Sequence, residues 1–263
     1  MSDSQALVLS ERHGAVGLLT INRPKTLNAL NVETLLALEA ALGEFERDDG
    51  VRVIVLTGAG ERAFVAGGDI TDLDSRQGLA HYQEFAEVIH RVFRRFELSD
   101  KPTIGVINGW ALGGGTELLL TLDIRLVAQE ARLGLPEITL GLFPGAGGSQ
   151  RLIRQIPLCR AKEMMFTGEQ ITADEAVALG LCNRAIAREK LLDEALAVAQ
   201  KIAQKSPLTL KLLKRALRDG LEMPLPSALA HEQAMIGLVL DSADAHEGCR
   251  AFLEKRAANF SGH

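Results

Sequence analysis

The chain has 263 residues, of which 47% are hydrophobic, and its formal net charge is −5. This length and apolar content fit one large domain, or one domain with an appendage, that buries a sizeable core. The acidic balance excludes a general affinity for nucleic acids or anionic membranes.

The first part of the chain alternates short apolar runs, glycine loops and helical patterns. Residues 7–10 and 16–21 are rich in β-forming side chains around His13 and Gly14, which predicts a hairpin. A helix is predicted after Asn31, a good N-cap residue, because apolar residues recur there at helical spacing. A predicted strand over residues 51–56 then leads into a glycine loop over residues 58–68.

The order of strand, glycine loop and helix recurs along the chain. We predict a helix over residues 81–96, a strand over 103–107, a helix from Glu117 and a strand over 124–128. The glycine loops centre on residues 67–68, 113–115 and 147–148, at unequal spacings. Repeated units of this kind stack and share a core, so we expect an irregular repeat in an α/β fold.

Helical patterns dominate from about residue 152. They cover residues 161–166, 173–179, 190–203, 207–218, 226–240 and 243–255, and Pro207 and Pro226 suit the first turns of helices. We therefore predict an α/β core over residues 1–190 and a helical region over residues 191–263. This helical region is short for an independent core, so we expect it to pack on the α/β core or on another subunit.

The cysteines and the apolar runs indicate the compartment. Cys159, Cys182 and Cys249 are widely separated and odd in number, and they form neither a disulfide framework nor a zinc spacing. This favours a reducing compartment, and we expect a cytoplasmic protein. The amino terminus resembles no signal peptide, and no apolar run approaches the ~20 residues of a membrane span.

The stretch over residues 109–118 places three consecutive glycines between a predicted strand and a predicted helix. Glycine lets the backbone turn tightly and approach a ligand closely. A helix start offers unpaired N–H groups and a partial positive charge. Such a position suits an oxygen atom that carries or develops negative charge, and Glu117 adds a carboxylate one turn into the helix.

Familiar nucleotide, hydrolase and metal motifs do not fit these loops. A dinucleotide fingerprint needs glycine or alanine where the chain has Leu118 and Gln150, and no Gly-Lys-Ser/Thr phosphate loop occurs. Ser149 lacks the following glycine of a nucleophile elbow, because Arg151 stands there. The zinc-protease pattern lacks its second histidine, because Met235 stands there. We predict no metal site.

An oxyanion site with two carboxylates remains. Two glycine loops can each direct a backbone N–H at one carbonyl oxygen and stabilise an enolate, and removing one such donor costs about 3–4 kcal/mol of barrier. Glu117 and Glu137 can divide acid and base roles if their environments differ. Each also has a plainer explanation, since Glu117 suits the first turn of a helix and Glu137 suits a loop.

Three motifs resemble the signatures of the enoyl-CoA hydratase/isomerase (crotonase) superfamily. They are AFVAGGDI at residues 63–70, NGWALGGGTEL at 108–118 and LPEITLGLFPGAGGSQRL at 135–152. Segments at residues 19–24, 167–181 and 247–256 also match, so the resemblance spans nearly the whole chain in order. It implies a crotonase-type spiral of repeated ββα units followed by a C-terminal helical trimerisation region, in a homotrimer or a dimer of trimers.

The resemblance also implies a chemistry. The family's oxyanion hole falls on the backbone N–H groups of Gly68 and Gly114, which would bind the thioester carbonyl of an acyl-CoA. Many relatives have alanine at position 68, but only the backbone donor is needed. The two hydratase glutamates fall on Glu117, which holds and activates water, and on Glu137, which passes a proton to Cα. We expect syn addition of water to a trans-2-enoyl-CoA, giving a 3-hydroxyacyl-CoA.

The expected partner is an acyl-CoA substrate, with no nucleic acid, no membrane and no cofactor beyond the CoA thioester of the substrate. The acyl pocket is expected to draw on residues 70–96, and the motifs do not indicate acyl chain length or branching. The resemblance implies that the substrate is bound by Lys25, Leu27, Ala66, Gly68, Asp69, Ile70 and Gly114.

Two alternatives remain open at this point. A Δ3,Δ2-enoyl-CoA isomerase, or another crotonase chemistry, uses the same oxyanion hole, and the paired glutamates argue against it. An acyl-CoA-binding or RNA-binding relative without turnover is a different class of protein. The intact glycine loops and both glutamates argue against that second alternative.

Overall fold

The computed structural model describes residues 6–76 and 78–263. The strands are β1 Val8–His13, β2 Val16–Ile21, β3 Val53–Gly58, β4 Ala63–Val65, β5 Thr103–Ile107, β6 Trp110–Leu112, β7 Ile124–Ala128, β8 Arg132–Gly134, β9 Gln170–Thr172 and β10 Arg184–Ile186. The helices are α1 Val32–Arg47, α2 Ile70–Asp74, α3 Gly78–His81, α4 Glu87–Leu98, α5 Gly114–Leu119, α6 Gly148–Gln155, α7 Leu158–Thr167, α8 Ala173–Ala178, α9 Arg188–Ala203, α10 Pro207–Gly220, α11 Leu225–Leu240 and α12 Ala243–Leu253. Short 3₁₀ segments cover Pro24–Thr26 and Pro136–Leu140, and a π-helical segment covers Tyr82–Ala86.

The strands form two sheets. The larger sheet has the order β1-β2-β3-β5-β7-β10 and the smaller has the order β4-β6-β8-β9. Neighbouring strands run parallel, except in the β1–β2 hairpin and the β8–β9 pair. Successive units each send their first strand (β3, β5, β7) to the larger sheet and their second (β4, β6, β8) to the smaller one. This is the spiral of ββα units that the family resemblance predicted.

The larger sheet is buried on both faces at its centre. Every residue of β3 and of β5 is buried. Strands covered on both faces appear in a sequence as continuous apolar runs rather than as alternating patterns, which explains why short apolar runs predicted them. The predicted strands over residues 51–56, 103–107 and 124–128 are confirmed to within two residues.

Helix α1 forms as its local signals predict. Oδ1 of Asn31 accepts a hydrogen bond of 3.0 Å from the N–H of Thr34, so the predicted N-cap is confirmed. Leu35, Leu38 and Leu42 recur at helical spacing and are fully buried. The helix packs against β2 and α4 along this apolar face.

The helix predicted over residues 81–96 is correct in kind but wrong in detail. The helical stretch begins at Gly78 and is interrupted by the π-helical segment Tyr82–Ala86. A π turn adds one residue to the helical repeat, so apolar spacing read with the α-helical period misses it. The helix predicted from Glu117 begins instead at Gly114, because the three glycines include the first turn of α5.

The predicted C-terminal helices are confirmed, and they pack in two ways. Helix α9 lies across β2, β3, β5 and β7 of the larger sheet, whereas α10 packs mainly on α11. The predicted division at residue 190 falls inside α9. Within the described residues, no helix is both long enough and apolar enough to cross a membrane.

Gly115 allows α5 to lie directly against β4. A Cβ atom on Gly115 would stand only 2.0 Å from the carbonyl oxygen of Val65, whereas a Cβ on Gly237, in α11, would meet nothing within 4 Å. We therefore expect Gly115→Ala to lower the free energy of unfolding by about 3 kcal/mol. Gly237→Ala is the matched control and should leave stability unchanged or raise it by up to about 1 kcal/mol. Urea denaturation of both variants measures this, and equal stability would contradict the close approach.

Candidate active site

The carboxyl ends of three parallel strands meet at one edge of the smaller sheet. Strands β4, β6 and β8 are parallel neighbours, so the loops that follow them lie side by side. These loops carry Gly68, Gly114 and Glu137. A Cβ atom placed on Gly114 would lie 3.5 Å from the amide nitrogen of Gly68, and one on Gly113 would lie 3.1 Å from Oε1 of Glu137. The fold thus brings together residues that are far apart in the chain.

Gly68 and Gly114 each present a backbone N–H at this edge. Leu30 forms a parallel bridge with Gly68, using the carbonyl of Gly67 and the N–H of Asp69, both at 2.8 Å. In such a bridge the N–H of the central residue, Gly68, points away from the partner strand. Gly114 is the first residue of α5, where a backbone N–H has no acceptor within the helix. Both residues line the same cavity.

Gly113 makes the turn that aims α5 at the site. Its φ of 51° and ψ of −121° are readily adopted only by glycine. Its N–H donates to the carbonyl of Gly134 at 2.9 Å, which fastens the turn to the end of β8. The consecutive glycines therefore have separate roles, with Gly113 making the turn, Gly114 offering its N–H and Gly115 allowing close packing.

Glu117 is a buried carboxylate held by backbone donors. It is 3% exposed, and its Oε1 accepts hydrogen bonds from the N–H groups of Ala146 at 2.7 Å and Gly148 at 2.8 Å. Burial raises the pKa of Glu117, while these two hydrogen bonds and the charge of Arg151 act in the opposite direction. Burial outweighs these neighbours, so the pKa of Glu117 stays above its ordinary value while the two hydrogen bonds fix the position of its carboxylate.

An ion pair holds the loop that binds Glu117. Arg151 donates two hydrogen bonds to the carboxylate of Glu97, at 3.1 and 2.9 Å, and one to the carbonyl of Ala146 at 3.2 Å. Sequence reasoning included Arg151 in the third family motif and used it to exclude a nucleophile elbow, but it assigned Arg151 no role and missed Glu97. No sequence signal links the two, because they lie 54 residues apart on α4 and α6.

Glu137 has the opposite surroundings. It lies in the 3₁₀ segment after β8, and within the described residues no hydrogen-bond partner meets its buried Oε2. Burial raises the pKa of Glu137 to about 7, the charge of Glu117 adds to this rise, and a backbone hydrogen bond opposes it. A neutral carboxyl group is therefore present in a large share of the molecules near neutral pH.

These groups surround a cavity of about 160 Å³. Gly68, Gly114, Glu117 and Glu137 form its polar part. Five other lining residues come from the segment at 70–96 that was expected to supply an acyl pocket. The remaining lining residues are Leu73, His81, Phe85, Ala86, Ile89, Leu142, Phe143, Gly145 and Ala146.

Comparison with known proteins identifies the family. The model of the enoyl-CoA hydratase/isomerase family matches residues 11–263. The chain belongs to the enoyl-CoA hydratase/isomerase family. It is 42% identical to a short-chain-enoyl-CoA hydratase of Clostridium acetobutylicum over 95% of each chain. It is 40% identical to a crotonyl-CoA hydratase of Syntrophomonas wolfei, over 96% of this chain and 97% of that one.

Solved structures of this family share the whole fold. The crystal structure of an enoyl-CoA hydratase from Bacillus anthracis superimposes with a TM-score of 0.95 at 36% identity. The match covers 98% of this chain and 100% of that one. The family resemblance found in the sequence is confirmed, and the α/β spiral with its helical C-terminal region is the fold of enoyl-CoA hydratase structures.

In this member of the hydratase/isomerase family, the residues expected to bind CoA lie along one edge. Lys25 is exposed in the 3₁₀ segment after β2, and Ile70 is exposed at the start of α2. The N–H of Ala66 donates to the carbonyl of Leu27 at 3.1 Å, which places the two loops side by side.

Asp69 has a structural task at this edge. Its carboxylate accepts a hydrogen bond of 2.9 Å from Arg23 and caps α2 by accepting one of 3.2 Å from the N–H of Thr71. The hydrogen bond from Arg23 holds the pKa of Asp69 below its usual range, although burial opposes this. The ion pair fastens the loop of Lys25 to the loop of Gly68.

Asn28 was missed by the sequence reasoning. Its buried side chain donates to the carbonyls of Ala59 at 3.0 Å and Ala63 at 2.8 Å, and it accepts from the N–H of Arg23 at 3.0 Å. Its φ of 59° is a conformation that asparagine adopts more readily than most residues. Asn28 thus joins the loop after β2 to the loop before β4, although nothing in its local sequence indicates a long-range contact.

The described part of the chain contains no cluster of side chains suited to bind a metal ion. No group of three or more histidine, cysteine, aspartate or glutamate side chains is placed there to hold a metal ion. The carboxylates of Glu117 and Glu137 are the acidic side chains that line the cavity.

The raised pKa of Glu137 predicts a dependence of stability on pH. From its ordinary value of 4.5 up to about 7, the folded protein keeps a proton that the unfolded chain releases. The free energy of unfolding should therefore fall as pH rises through this window, by about 3 kcal/mol in all at ~1.4 kcal/mol for each pH unit. Glu137→Gln has no such proton to lose.

Thermal unfolding measured at pH 5 and pH 8 tests this. Glu137→Gln should be more stable than the parent protein at pH 8, by up to about 3 kcal/mol, and should lose most of that advantage at pH 5. The control is Glu194→Gln, because Glu194 is exposed on α9. The same pH dependence in all three proteins would show that Glu137 does not carry this effect.

Proposed function

We propose that this protein is an enoyl-CoA hydratase that adds water syn across the double bond of a trans-2-enoyl-CoA, giving a 3-hydroxyacyl-CoA. The observation that carries the proposal is that Glu117 and Glu137 line one cavity with Gly68 and Gly114. Two backbone donors hold Glu117, whereas the buried Oε2 of Glu137 has no partner among the described residues. Two curated relatives are named for hydration of short-chain enoyl-CoA and of crotonyl-CoA, which supports the same reaction.

The two glycine N–H groups would receive the thioester oxygen. When water attacks Cβ, the electrons of the double bond move toward the carbonyl and negative charge collects on its oxygen. Donors at Gly68 and Gly114 stabilise that charge more strongly in the transition state than in the ground state. Because both donors belong to the backbone at the ends of β4 and β6, they need no rearrangement during the reaction.

Glu117 would act as the base. Its carboxylate accepts a proton from water while the water oxygen forms the bond to Cβ. The N–H groups of Ala146 and Gly148 both bind Oε1, which leaves the other carboxylate oxygen available for water. Burial makes this carboxylate a stronger base than an exposed one, because it raises its pKa.

Glu137 would act as the acid. Its neutral form donates a proton to Cα as the enolate collapses, so that the hydroxyl group and the hydrogen add to the same face. After this step Glu117 carries a proton and Glu137 is ionised. Ala146 and Gly148 stabilise the ionised form of Glu117, whereas the buried Oε2 of Glu137 has no partner among the described residues, so the proton returns from Glu117 to Glu137 once product leaves.

Binding of the CoA portion is proposed for the edge formed by the two fastened loops. Lys25 is exposed there and offers an ammonium group to a phosphate. Leu27, Ala66, Asp69 and Ile70 line the same edge, between Lys25 and the oxyanion glycines. The reaction needs no cofactor beyond the CoA thioester, because the carboxylates and backbone donors supply every proton and charge that moves.

Loss of crotonyl-CoA absorbance on hydration tests the activity directly. We expect turnover by the purified protein, and a reduction of at least about a hundredfold in Glu117→Gln and in Glu137→Gln, with modest change in substrate binding. The exposed-site variant Glu194→Gln should keep full turnover. Absence of hydration by the parent protein would overturn the proposal. Conversion of a 3-enoyl-CoA without hydration of crotonyl-CoA would establish an isomerase instead.

We also propose that the protein assembles as a homotrimer or a dimer of trimers. Helices α10, α11 and α12 expose many large apolar side chains. Exposed apolar patches of this kind mark surfaces that another protein chain covers. The large exposed apolar residues there include Leu213, Leu217, Leu221, Leu225, Leu229, Ile236, Leu238, Leu240, Phe252 and Leu253.

Size-exclusion chromatography coupled to light scattering measures the molar mass of the assembly. The expected mass is about three or six times the chain mass of 28.4 kDa. Replacing Leu217 and Leu221 by glutamate should lower the measured mass, because burying those charges in an apolar interface is costly. The control pair is Glu189→Lys and Glu194→Lys on α9. A parent protein of single-chain mass would overturn this proposal and leave the enzymatic one untouched.

The proposed compartment is the cytoplasm. Cys159 and Cys249 are exposed free thiols and Cys182 is buried, a state that persists where thiols are kept reduced. Burial raises the pKa of Cys182 to about 12, so this thiol stays protonated and unreactive. Hydration of enoyl-CoA in this setting fits a step of fatty acid β-oxidation.

A further inference from the structure

We propose that Leu73 and Phe85 form an acyl-end wall that restricts this enzyme to acyl groups of about four carbons, so that crotonyl-CoA is its preferred class of substrate. The proposal rests on the proposed function, because it concerns the acyl chain of the same thioester. It assigns the choice of chain length to two side chains, and nothing in the family motifs does so.

The wall stands directly beside the oxyanion site. A Cβ atom placed on Gly68 would lie 3.0 Å from Cδ1 of Leu73 and 3.8 Å from Cζ of Phe85. Both side chains also line the cavity that contains Gly114 and the two glutamates. An acyl chain whose carbonyl oxygen binds at Gly68 therefore begins beside these two side chains.

The volume of the cavity agrees with a short chain. A cavity of about 160 Å³ lies well below the roughly 300–1,000 Å³ of pockets that enclose drug-sized ligands. It therefore suits a short acyl group better than a long one.

The wall is part of the packed core rather than a mobile surface. Phe85 is 7% exposed and belongs to the main hydrophobic core together with Ile89. The ring of Phe85 stacks on the imidazole of His81, with 5.5 Å between the ring centroids. Leu73 packs against the same core, and its N–H donates to the carbonyl of Asp69 at 2.9 Å. Displacing either side chain would therefore disturb packing that stabilises the fold.

Glycine at position 68 allows Leu73 to stand this close. An alanine there would put its methyl group 3.0 Å from Cδ1 of Leu73, which is closer than ordinary van der Waals contact, so Leu73 would have to shift. Gly68 thus contributes twice, through its backbone donor and through the space that it leaves for the wall.

Binding of saturated acyl-CoA thioesters tests the wall without any turnover. In an open apolar groove each added methylene tightens binding roughly fourfold, so octanoyl-CoA would bind about two-hundredfold tighter than butyryl-CoA. We expect octanoyl-CoA to bind the parent protein no tighter than butyryl-CoA, as measured by calorimetry. Octanoyl-CoA binding that is tighter by tenfold or more would overturn the proposal.

Kinetics across chain lengths test the assignment to residues. We expect kcat/KM for trans-2-octenoyl-CoA to be at least about fiftyfold below that for crotonyl-CoA. Phe85→Ala should change this ratio by at least about tenfold in favour of octenoyl-CoA. Leu73→Ala should act in the same direction and serves as a second test if the core position of Phe85 prevents folding. Leu79→Ala is the control, because Leu79 lies on α3, is 68% exposed and does not line the cavity.

The outcomes separate this proposal from the proposed function. Hydration of no enoyl-CoA would overturn the function, and the calorimetric comparison would still decide on the wall. Hydration of octenoyl-CoA within threefold of crotonyl-CoA would overturn the wall and leave the function standing. An unchanged ratio in both Phe85→Ala and Leu73→Ala would overturn the assignment to these residues. A preference for an acyl group with a second carboxylate would also overturn the proposed restriction to four carbons. It would indicate that His81, which lines the cavity, contacts that carboxylate.

Discussion

The site depends on the close approach of α5 to β4. Gly115 has no side chain, so the helix lies against the carbonyl of Val65, where a Cβ would stand at 2.0 Å. That contact sets the first N–H of the helix, on Gly114, beside the amide of Gly68. A larger residue at position 115 would push the helix outward and separate the two donors. An oxyanion hole tolerates little such movement, because hydrogen-bond strength falls steeply with distance and angle.

Around this contact the fold places two carboxylates under unequal conditions. Glu117 is buried but receives two backbone hydrogen bonds, and Arg151, held by Glu97, orders the loop that supplies them. Glu137 lacks a comparable partner for its buried Oε2 among the described residues. The same fold therefore gives two chemically identical groups different hydrogen-bonding surroundings, while burial raises the pKa of both. Ionising Glu137 lowers the stability of the folded protein, because its buried Oε2 has no hydrogen-bond partner among the described residues.

The two ends of the substrate meet different kinds of structure. The CoA portion would lie along loops joined by Asn28 and by the ion pair of Arg23 with Asp69, which exposes Lys25 at their edge. The acyl portion would lie against buried core side chains. Backbone hydrogen bonds and an ion pair order the loops at the CoA end, whereas side-chain packing fixes the shape of the cavity at the acyl end.

The amino-acid sequence by itself determined the fold class, the family, and most of the helices and strands, and it proposed four site residues that the fold places around one cavity. It did so because apolar periodicity, caps and contiguous glycine motifs are local signals. The tertiary structure alone decided the long-range facts: the link between Arg151 and Glu97, the loops joined by Asn28, the π-helical segment, and the position of Leu73 and Phe85 beside Gly68. Only the tertiary structure decided the unequal surroundings of Glu117 and Glu137 as well. Burial and convergence arise from packing of distant segments, and no local pattern in the chain records them.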